Sequence, residues 1–275
     1  MDIALIGDIH SQWDAHDNAA LASMGFAGAL FTGDFPGRLH RDLLTVASQV
    51  SNCPVPALAI AGNHDGPGPI DILREALSWG PRTARAGQRI CARLADLRAS
   101  LAPVELGGYS LHQMGDIEVL VARPLAMDRR HLSFASALER EFGIQTMEQS
   151  RERLCQLIDQ TTGPYLVLSH NGPHGFGAQR GAPYALSTAG RDNGDTDLAD
   201  AIQYALATQQ TPLAVVSGHM HHNARKPRQW QVHQGGVLYL NAARVPRRDR
   251  NDERSLLRLT VSRDSASARW ETYRP

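Results

Sequence analysis

Short apolar runs that end in small or polar residues recur along the chain. They span residues 3–8, 29–34, 57–65, 165–170, 213–219 and 237–243. Their length and their content of Ala, Val and Leu are typical of strands that are covered on both faces. Segments with helical periodicity lie between them, at 14–24, 39–51, 70–78, 131–142, 146–161 and 195–208. This alternation predicts an α/β fold with helices outside a sheet or a pair of sheets.

The C-terminal part has a different pattern. The runs VLYLNAA (237–243), LLRLTVS (256–262) and ARWETY (268–273) follow one another without helical segments between them. Consecutive strands of this kind pair antiparallel through short connections. We therefore expect mixed sheets with an antiparallel edge.

Two segments do not fit the alternation. Residues 80–112 are helical in pattern through 89–101 and then become rich in proline and glycine, which indicates an insertion or cap. Residues 171–195 contain many Gly and Pro residues and exceed the usual loop length of roughly 4–6 residues. Loops of that size are commonly lids or binding loops. We expect one domain over residues 1–275 that carries both features.

Composition argues against several classes of protein. The 28 Lys and Arg residues balance the 28 Asp and Glu residues, so nothing draws the chain to nucleic acid or to an anionic membrane. Cys53, Cys91 and Cys155 are far apart, which argues against a disulfide framework or a cysteine metal site. The start MDIALIGD indicates a first strand and not a signal peptide. No run approaches the roughly 20 apolar residues of a membrane span, and we expect a cytoplasmic protein.

Potential metal ligands follow nearly every predicted strand. In chain order these residues are Asp8, His10, Asp34, Asn63, His64, Asp65, His170, His219, His221 and His222. Taken singly, an Asp after a Gly is more often a turn or a cap, and a buried His is more often a packed and hydrogen-bonded side chain. In α/β sheets, however, ligands collect beyond the carboxyl ends of the strands. Their joint occurrence favours a single site.

The candidate ligands lie in five short motifs: GDIH (7–10), GDF (33–35), GNHD (62–65), SHNGPH (169–174) and GHMH (218–221). Through these motifs the chain resembles the calcineurin-like metallophosphoesterase superfamily. The resemblance implies a four-layer α/β sandwich, in which helices flank two mixed β-sheets, and a site for two divalent metal ions.

The same resemblance implies which residues bind the metals. One ion would be held by Asp8, His10 and His221. The other would be held by Asn63, His170 and His219. Asp34 would bridge the two ions, and a pair of ions roughly 3.5–4 Å apart does need a shared anionic oxygen. The DxH and HxH spacings fit because alternate residues of an extended segment point the same way.

The ligand set also bears on charge and on metal identity. Only Asp8 and Asp34 are negative, so two dications would retain about two positive charges, which would attract a phosphate. Nitrogen and oxygen ligands without thiolate suit Mn, Fe, Zn or Co. We favour manganese, with iron or zinc as rivals.

The GNHD motif carries the expected catalytic residues. The resemblance implies that His64 is a general acid or a hydrogen-bond donor to the transition state, and that Asp65 orients it. The alternative is that His64 is an extra ligand or a structural residue. The expected chemistry is in-line attack by a metal-bridging hydroxide, with His64 assisting the leaving oxygen. His174 and His222 are left without a role.

The substrate is less well defined by the sequence. A small phosphate ester is expected, so the chain would be a phosphatase or a phosphodiesterase. The alternatives are a nuclease, which the even charge balance disfavours, and a non-catalytic scaffold, which the retained His64 disfavours. Other residues that could lie near the pocket have simpler interpretations: packing for Trp13, and surface positions for His40, His112 and Arg123.

Overall fold

The computed structural model describes residues 1–37, 40–77, 83–127, 131–179, 181–186, 191–221, 229–248 and 250–275. The strands are β1 (Asp2–Ile6), β2 (Gly28–Phe31), β3 (Ala57–Ile60), β4 (Glu105–Gly107), β5 (Ser110–Met114), β6 (Ile117–Val121), β7 (Tyr165–Leu168), β8 (Ala185–Leu186), β9 (Arg191–Asp192), β10 (Ala214–Ser217), β11 (Gln231–Gln234), β12 (Val237–Asn241), β13 (Arg247–Arg248), β14 (Arg254–Val261) and β15 (Ala266–Tyr273). The helices are α1 (Ala15–Ser23), α2 (Leu43–Val50), α3 (Pro69–Ala76), α4 (Ala84–Leu101), α5 (Ala135–Phe142), α6 (Met147–Asp159) and α7 (Thr196–Ala207).

The first sheet has the strand order β13-β14-β1-β2-β3-β4, and β15 pairs with β14. Strands β1 to β4 are parallel to one another. Strand β14 runs antiparallel to β1 and to β15, which gives the antiparallel edge expected from the C-terminal sequence. The carboxyl ends of β1, β2 and β3 therefore meet at one edge of this sheet.

The second sheet has the order β11-β12-β10-β7-β6-β5. Its four inner strands are parallel. The two outer strands, β5 and β11, are antiparallel to their neighbours. Both sheets are mixed, as expected.

The two sheets pack face to face and helices cover their outer faces. Leu166, Leu168 and Val216 belong to the core that also contains the first sheet, whereas Val167 and Val215 pack among residues of α6 and α7. Neighbouring residues of these strands belong to different cores because successive side chains along a strand point to opposite faces of the sheet. Helices α2 and α4 pack into the first core. The fold is the four-layer α/β sandwich that the family resemblance implied.

The sequence missed the strands β4, β5 and β6. The sequence pattern assigns residues 80–112 to an insertion or cap without strands, but β4 joins the first sheet beside β3 and β5 pairs with β6. The turn of this hairpin contains Gly115 at φ 59° followed by Asp116. A two-residue turn with glycine at positive φ between alternating segments is a hairpin signal that could have revealed both strands.

Helix α4 covers much of the segment for which a cap was predicted. Its buried residues Ile90, Leu94, Leu97 and Leu101 lie on one face and join the first core. Residues 80–82 lie outside the described part of the chain, and the cap stays a prediction. Within the residues that the structure describes, no helix is both long enough and apolar enough to cross a bilayer.

Candidate metal centre

Loops at the carboxyl ends of five strands converge at one edge of the sandwich. They bring together two groups of side chains whose nitrogen and oxygen atoms lie within 4.8 Å of one another inside each group. The first group is Asp8, His10 and His221, and the second is Asp34, His170 and His219. Each group combines residues from both sheets, because β1 and β2 belong to the first sheet and β7 and β10 to the second.

The first group is built around Asp8. Its Oδ1 lies 2.9 Å from Nε2 of His221, and that nitrogen lies 3.1 Å from Nε2 of His10. Nδ1 of His10 lies 3.0 Å from the carbonyl oxygen of Pro36. Because a carbonyl can only accept, it fixes the His10 proton on Nδ1 and turns the lone pair of Nε2 toward Asp8 and His221. This convergence of nitrogen and oxygen lone pairs fits a divalent cation.

The second group has the same construction. Nε2 of His170 lies 2.9 Å from Oδ1 of Asn63 and 3.6 Å from Oδ1 of Asp34, while Nδ1 donates to the carbonyl of Thr32 at 2.6 Å. Nε2 of His219 lies 3.2 Å from the carbonyl oxygen of Met127, which leaves Nδ1 for a ligand. Such backbone partners orient metal-binding histidines and fix their tautomers. The structure thus brings together every residue that the sequence assigned to the metals.

The charges of the site suit cation binding. Burial opposes ionisation of Asp8, but the hydrogen bond from His221 holds its pKa below the ordinary value. Burial likewise opposes ionisation of Asp34, and the positive charges of His170 and His64 hold its pKa low. Burial lowers the pKa of His219 to about 4. Ionised carboxylates and a neutral imidazole are the protonation states that a metal ion requires.

The ligand loops adopt an unusual backbone conformation. Asp8, His10, Asp34 and His219 have φ values of 52°, 45°, 56° and 63°. A positive φ is uncommon for residues other than glycine, costs about 1–3 kcal/mol, and persists where surrounding contacts impose it. Here the N–H of Asp8 donates to the carbonyl of Gly33 at 3.0 Å, and the N–H of His10 donates to that of Asp34 at 3.1 Å. The first two loops therefore fix each other.

Two glycines allow the loops to approach this closely. A Cβ at Gly62 would overlap Oδ1 of Asp34, and a Cβ at Gly218 would overlap Oδ2 of Asp8. The glycine of the GNHD motif therefore packs against an aspartate of the second loop, and the glycine of the GHMH motif packs against an aspartate of the first. Glycine is needed at both positions because the backbone passes too close to a carboxylate to leave room for a Cβ atom.

His64 lies beside both groups. Its backbone N–H donates to Oδ1 of Asp34 at 2.8 Å, and its ring centroid is 5.6 Å from that of His10. The ring contacts His40, whose Nε2 lies 2.7 Å from Nδ1 of His64. The sequence interpretation of His40 as a surface residue is wrong, since the side chain is partly buried against His64. The sequence signal that could have indicated this contact was the position of His40, six residues after Asp34 in a loop of the site.

The structure corrects the contact expected of Asp65. Its carboxylate accepts the backbone N–H groups of Gly62 at 2.6 Å, Asp34 at 2.8 Å and Phe35 at 2.8 Å. These bonds tie the loop after β3 to the loop after β2, and the Nδ1 of His64 is occupied by His40 instead. Burial and the charge of Asp34 raise the pKa of Asp65 to about 7.

The other residues considered from the sequence fall in different places. Trp13 is buried in the first core, as its packing interpretation predicted. His112 lies on β5 with Nδ1 2.8 Å from Oε2 of Glu105. His174 lies 3.2 Å from Asp192 in the 171–195 loop. His222 lies outside the described residues.

Arg123 is not a surface charge. It is 1% exposed and bonds to Asp197 at 2.8 Å and to Asp195 at 2.9 Å. Asp195 also accepts from Nδ2 of Asn171 at 2.9 Å, so the carboxylate that pairs with the arginine joins the two ends of the 171–195 loop. The charge pattern gave no sign of this burial, because the partner aspartates are more than 70 residues away in sequence.

The 171–195 loop also reaches the candidate metal centre. Nδ2 of Asn193 donates to the carbonyl of Met127 at 3.4 Å, and that carbonyl is the partner of His219. Inside the loop, Asp192 accepts the N–H groups of Gly175 and Gly177 at 2.7 and 3.1 Å. Residues 180 and 187–190 lie outside the described part, and a lid function stays a prediction.

Comparison with known proteins identifies the fold and the family. The model of the calcineurin-like phosphoesterase superfamily domain matches residues 1–264. A search of curated proteins found no match. Among solved structures, the chain is similar to the NAD nucleotidase of Haemophilus influenzae, with 13% identity, a TM-score of 0.54, and coverage of 98% of this chain and 49% of that one. At 13% identity, this similarity shows a shared fold.

Two further solved structures match more weakly. The sulfate thiohydrolase SoxB of Thermus thermophilus gives 13% identity, a TM-score of 0.44, and coverage of 94% of this chain and 40% of that one. A metallophosphoesterase from Sphaerobacter thermophilus gives 14% identity, a TM-score of 0.40, and coverage of 100% and 90%. The chain spans less than half the length of the thiohydrolase and about half that of the nucleotidase.

Proposed function

Because the chain belongs to the calcineurin-like phosphoesterase superfamily, we propose that it is a metal-dependent hydrolase of a small phosphate monoester or diester. The observation that carries the proposal is the convergence of two ligand groups from two sheets beside His64. One group alone would suit a structural ion. Two adjacent groups with a histidine at their side suit hydrolysis of a phosphate ester.

The cations would be held by the residues described above. Asp8, His10 and His221 would hold one, and His170, His219 and Asn63 the other. Asp34 would be shared between them. Two bound cations would supply Lewis-acid polarisation of the phosphate and a water molecule of lowered pKa. We favour manganese, with iron or zinc as the alternatives.

His64 would act on the leaving group. Its backbone is fixed by Asp34, its Nδ1 is engaged by His40, and the ring lies beside that of His10. The remaining nitrogen, Nε2, is at the far side of the ring from His40. It can donate a proton to the oxygen that departs from phosphorus, a contribution of typically about 10²–10⁴-fold in rate.

Hydrolysis of a nitrophenyl phosphomonoester and of the bis-nitrophenyl diester tests the proposal. The purified protein would be stripped of metal and resupplied with manganese, iron or zinc, with the variants His64→Ala and His233→Ala in parallel. His233 is an exposed residue of β11 and serves as the control. We expect turnover that needs metal, a loss of about 10²-fold or more in kcat for His64→Ala, and little change for His233→Ala.

The result also separates the alternatives. Preference for one ester would direct the search to monoesters, such as nucleotide or sugar phosphates, or to diesters, such as cyclic nucleotides. Cleavage of DNA or RNA in preference to both would support a nuclease. Tight binding of two ions without cleavage of any ester would support a scaffold.

The scattered cysteines favour a reducing compartment such as the cytoplasm, which imaging of the tagged protein in cells would test.

A further inference from the structure

His40 and His64 form a direct contact between two loops of the first sheet. Nε2 of His40 lies 2.7 Å from Nδ1 of His64, and the ring centroids are 4.8 Å apart at an interplanar angle of 65°. Nδ1 of His40 lies 2.9 Å from the carbonyl oxygen of Pro67. His40 has a φ of 55°, and its N–H donates to the carbonyl of Gly37 at 2.9 Å. The backbone holds this residue in an uncommon conformation that presents its ring to His64.

The carbonyl of Pro67 determines which ring nitrogens of this pair carry a hydrogen. A carbonyl oxygen only accepts, so Nδ1 of His40 carries a hydrogen. In the neutral ring, Nε2 of His40 then has a lone pair and accepts from Nδ1–H of His64. Burial lowers the pKa of His40 and favours its neutral form. The chain of bonds runs from His64 to His40 to Pro67, with each donor and acceptor defined.

We propose that His40 is a positioning residue that holds the proton of His64 on Nδ1 and so presents Nε2 to the leaving oxygen. The proposal rests on the phosphoesterase function proposed above. The sequence interpretation gave this role to Asp65, but the oxygens of Asp65 are taken by three backbone N–H groups. The proposal gives the role to His40, a neutral histidine in the loop after β2.

The proton balance of the step is complete. A water oxygen forms a bond to phosphorus and loses a proton to solvent, while the bond from phosphorus to the leaving oxygen breaks. The ring of His64 enters the step with hydrogens on both nitrogens, that of Nε2 having come from solvent. The electron pair of the broken bond stays with the leaving oxygen, which takes the hydrogen of Nε2 as a proton. His64 is left neutral with its hydrogen on Nδ1, the form that His40 stabilises, and Nε2 regains a proton from solvent.

The variants His40→Leu and His40→Gln test the assignment. Leucine removes the acceptor, whereas the amide oxygen of glutamine can accept at the place of Nε2. Long-range ¹⁵N–¹H spectra of the full chain, recorded without metal and with diamagnetic zinc, report the tautomer of His64, and His64→Gln assigns its signal. We expect the Nδ1–H form in the wild type and in His40→Gln, and the Nε2–H form or a mixture in His40→Leu. An Nε2–H form in the wild type, or an unchanged tautomer in His40→Leu, would overturn the proposal.

Kinetics give a second readout that a purely structural role would not produce. Help from a general acid matters more for a poor leaving group, so His40→Leu is expected to lower kcat for phenyl phosphate by about tenfold or more. The loss for nitrophenyl phosphate is expected to be severalfold smaller, with KM little changed and recovery in His40→Gln. Equal losses for both esters contradict the assignment. If the wild type cleaves no ester, the proposed function fails, and the tautomer spectra still decide whether His40 positions His64.

Discussion

The backbone N–H of His219 lies 2.9 Å from Oδ2 and 3.1 Å from Oδ1 of Asp8. Asp8 belongs to one ligand group and His219 to the other, so the carboxylate of the first group fixes the backbone of the second. Asp34 makes a comparable link, because its Oδ1 accepts the N–H of His64 while it also lies 3.6 Å from His170. The two groups are coupled through these two aspartates, and substitutions there should affect both.

Asp34→Asn is expected to reduce occupancy by both ions together. The substitution removes one of the two negative charges of the ligand set and leaves side-chain volume unchanged. Elemental analysis after equilibration with a single metal would show the loss, with Asp116→Asn as a matched control, since Asp116 is exposed in the turn between β5 and β6. Loss of one ion with full retention of the other would contradict a shared Asp34.

Gly218→Ala is expected to disturb the site through sterics alone. Its Cβ would overlap Oδ2 of Asp8 and Oγ1 of Thr32, so those groups must shift. Overpacking of this kind costs about 1–3 kcal/mol of unfolding free energy and should also weaken metal binding. Urea unfolding of the metal-free protein and titration with metal would measure the two effects. Gly163→Ala is the control, because nothing lies within 4 Å of a Cβ there, and equal behaviour of the two variants would refute the steric account.

Metal binding is expected to release protons and to weaken as the pH falls. Burial opposes charge on His170, but Asp34 and Asp8 together raise its pKa above the ordinary value. Below that raised pKa the ring is protonated in the metal-free protein, and a cation must displace the proton. Affinity should therefore rise with pH until His170 is neutral. Calorimetric titrations in two buffers of different ionisation enthalpy would measure the protons released, and zero release near neutral pH would contradict this prediction.

Arg123→Met is expected to destabilise the fold strongly. The substitution leaves the buried Asp195 and Asp197 without their cation, and breaking a buried pair typically costs about 3–5 kcal/mol. The comparable change Arg98→Met removes an ion pair with Glu141 in which the arginine side chain is 48% exposed, and should cost about 0–1 kcal/mol. Denaturant unfolding compares the two variants, and similar losses would argue against a buried ion pair.

The stability of the Arg123→Met variant should also depend on pH. Burial and the charge of Asp197 already raise the pKa of Asp195 to about 7, against the opposing effect of Arg123. A carboxyl whose pKa is higher in the folded than in the unfolded state binds more protons when folded, so its contribution to stability falls as pH rises between the two values. Removing Arg123 raises the folded pKa further. The deficit of the variant should be larger at pH 8 than at pH 5, and a deficit independent of pH would count against this explanation.

The sequence by itself determined the layer architecture and the set of site residues. Apolar runs of strand length alternate with helical segments, and the helices lie where the pattern placed them, with ends that differ by at most five residues. Ligand-type residues at the ends of β1, β2, β3, β7 and β10 could be predicted because parallel strands place their carboxyl ends at one edge. These are properties of local composition and period, which a single sequence contains.

Only the tertiary structure decided which side chains within the loops touch. His40 reaches His64, Asp65 binds three backbone N–H groups, and Arg123 is buried between two aspartates. Loop side chains follow no period, and their directions depend on residues with positive φ such as Asp8, Asp34 and His40. Those conformations are imposed by hydrogen bonds between segments distant in sequence. The residues that converge at the candidate site could therefore be predicted from the chain, whereas the partner of His64 could not.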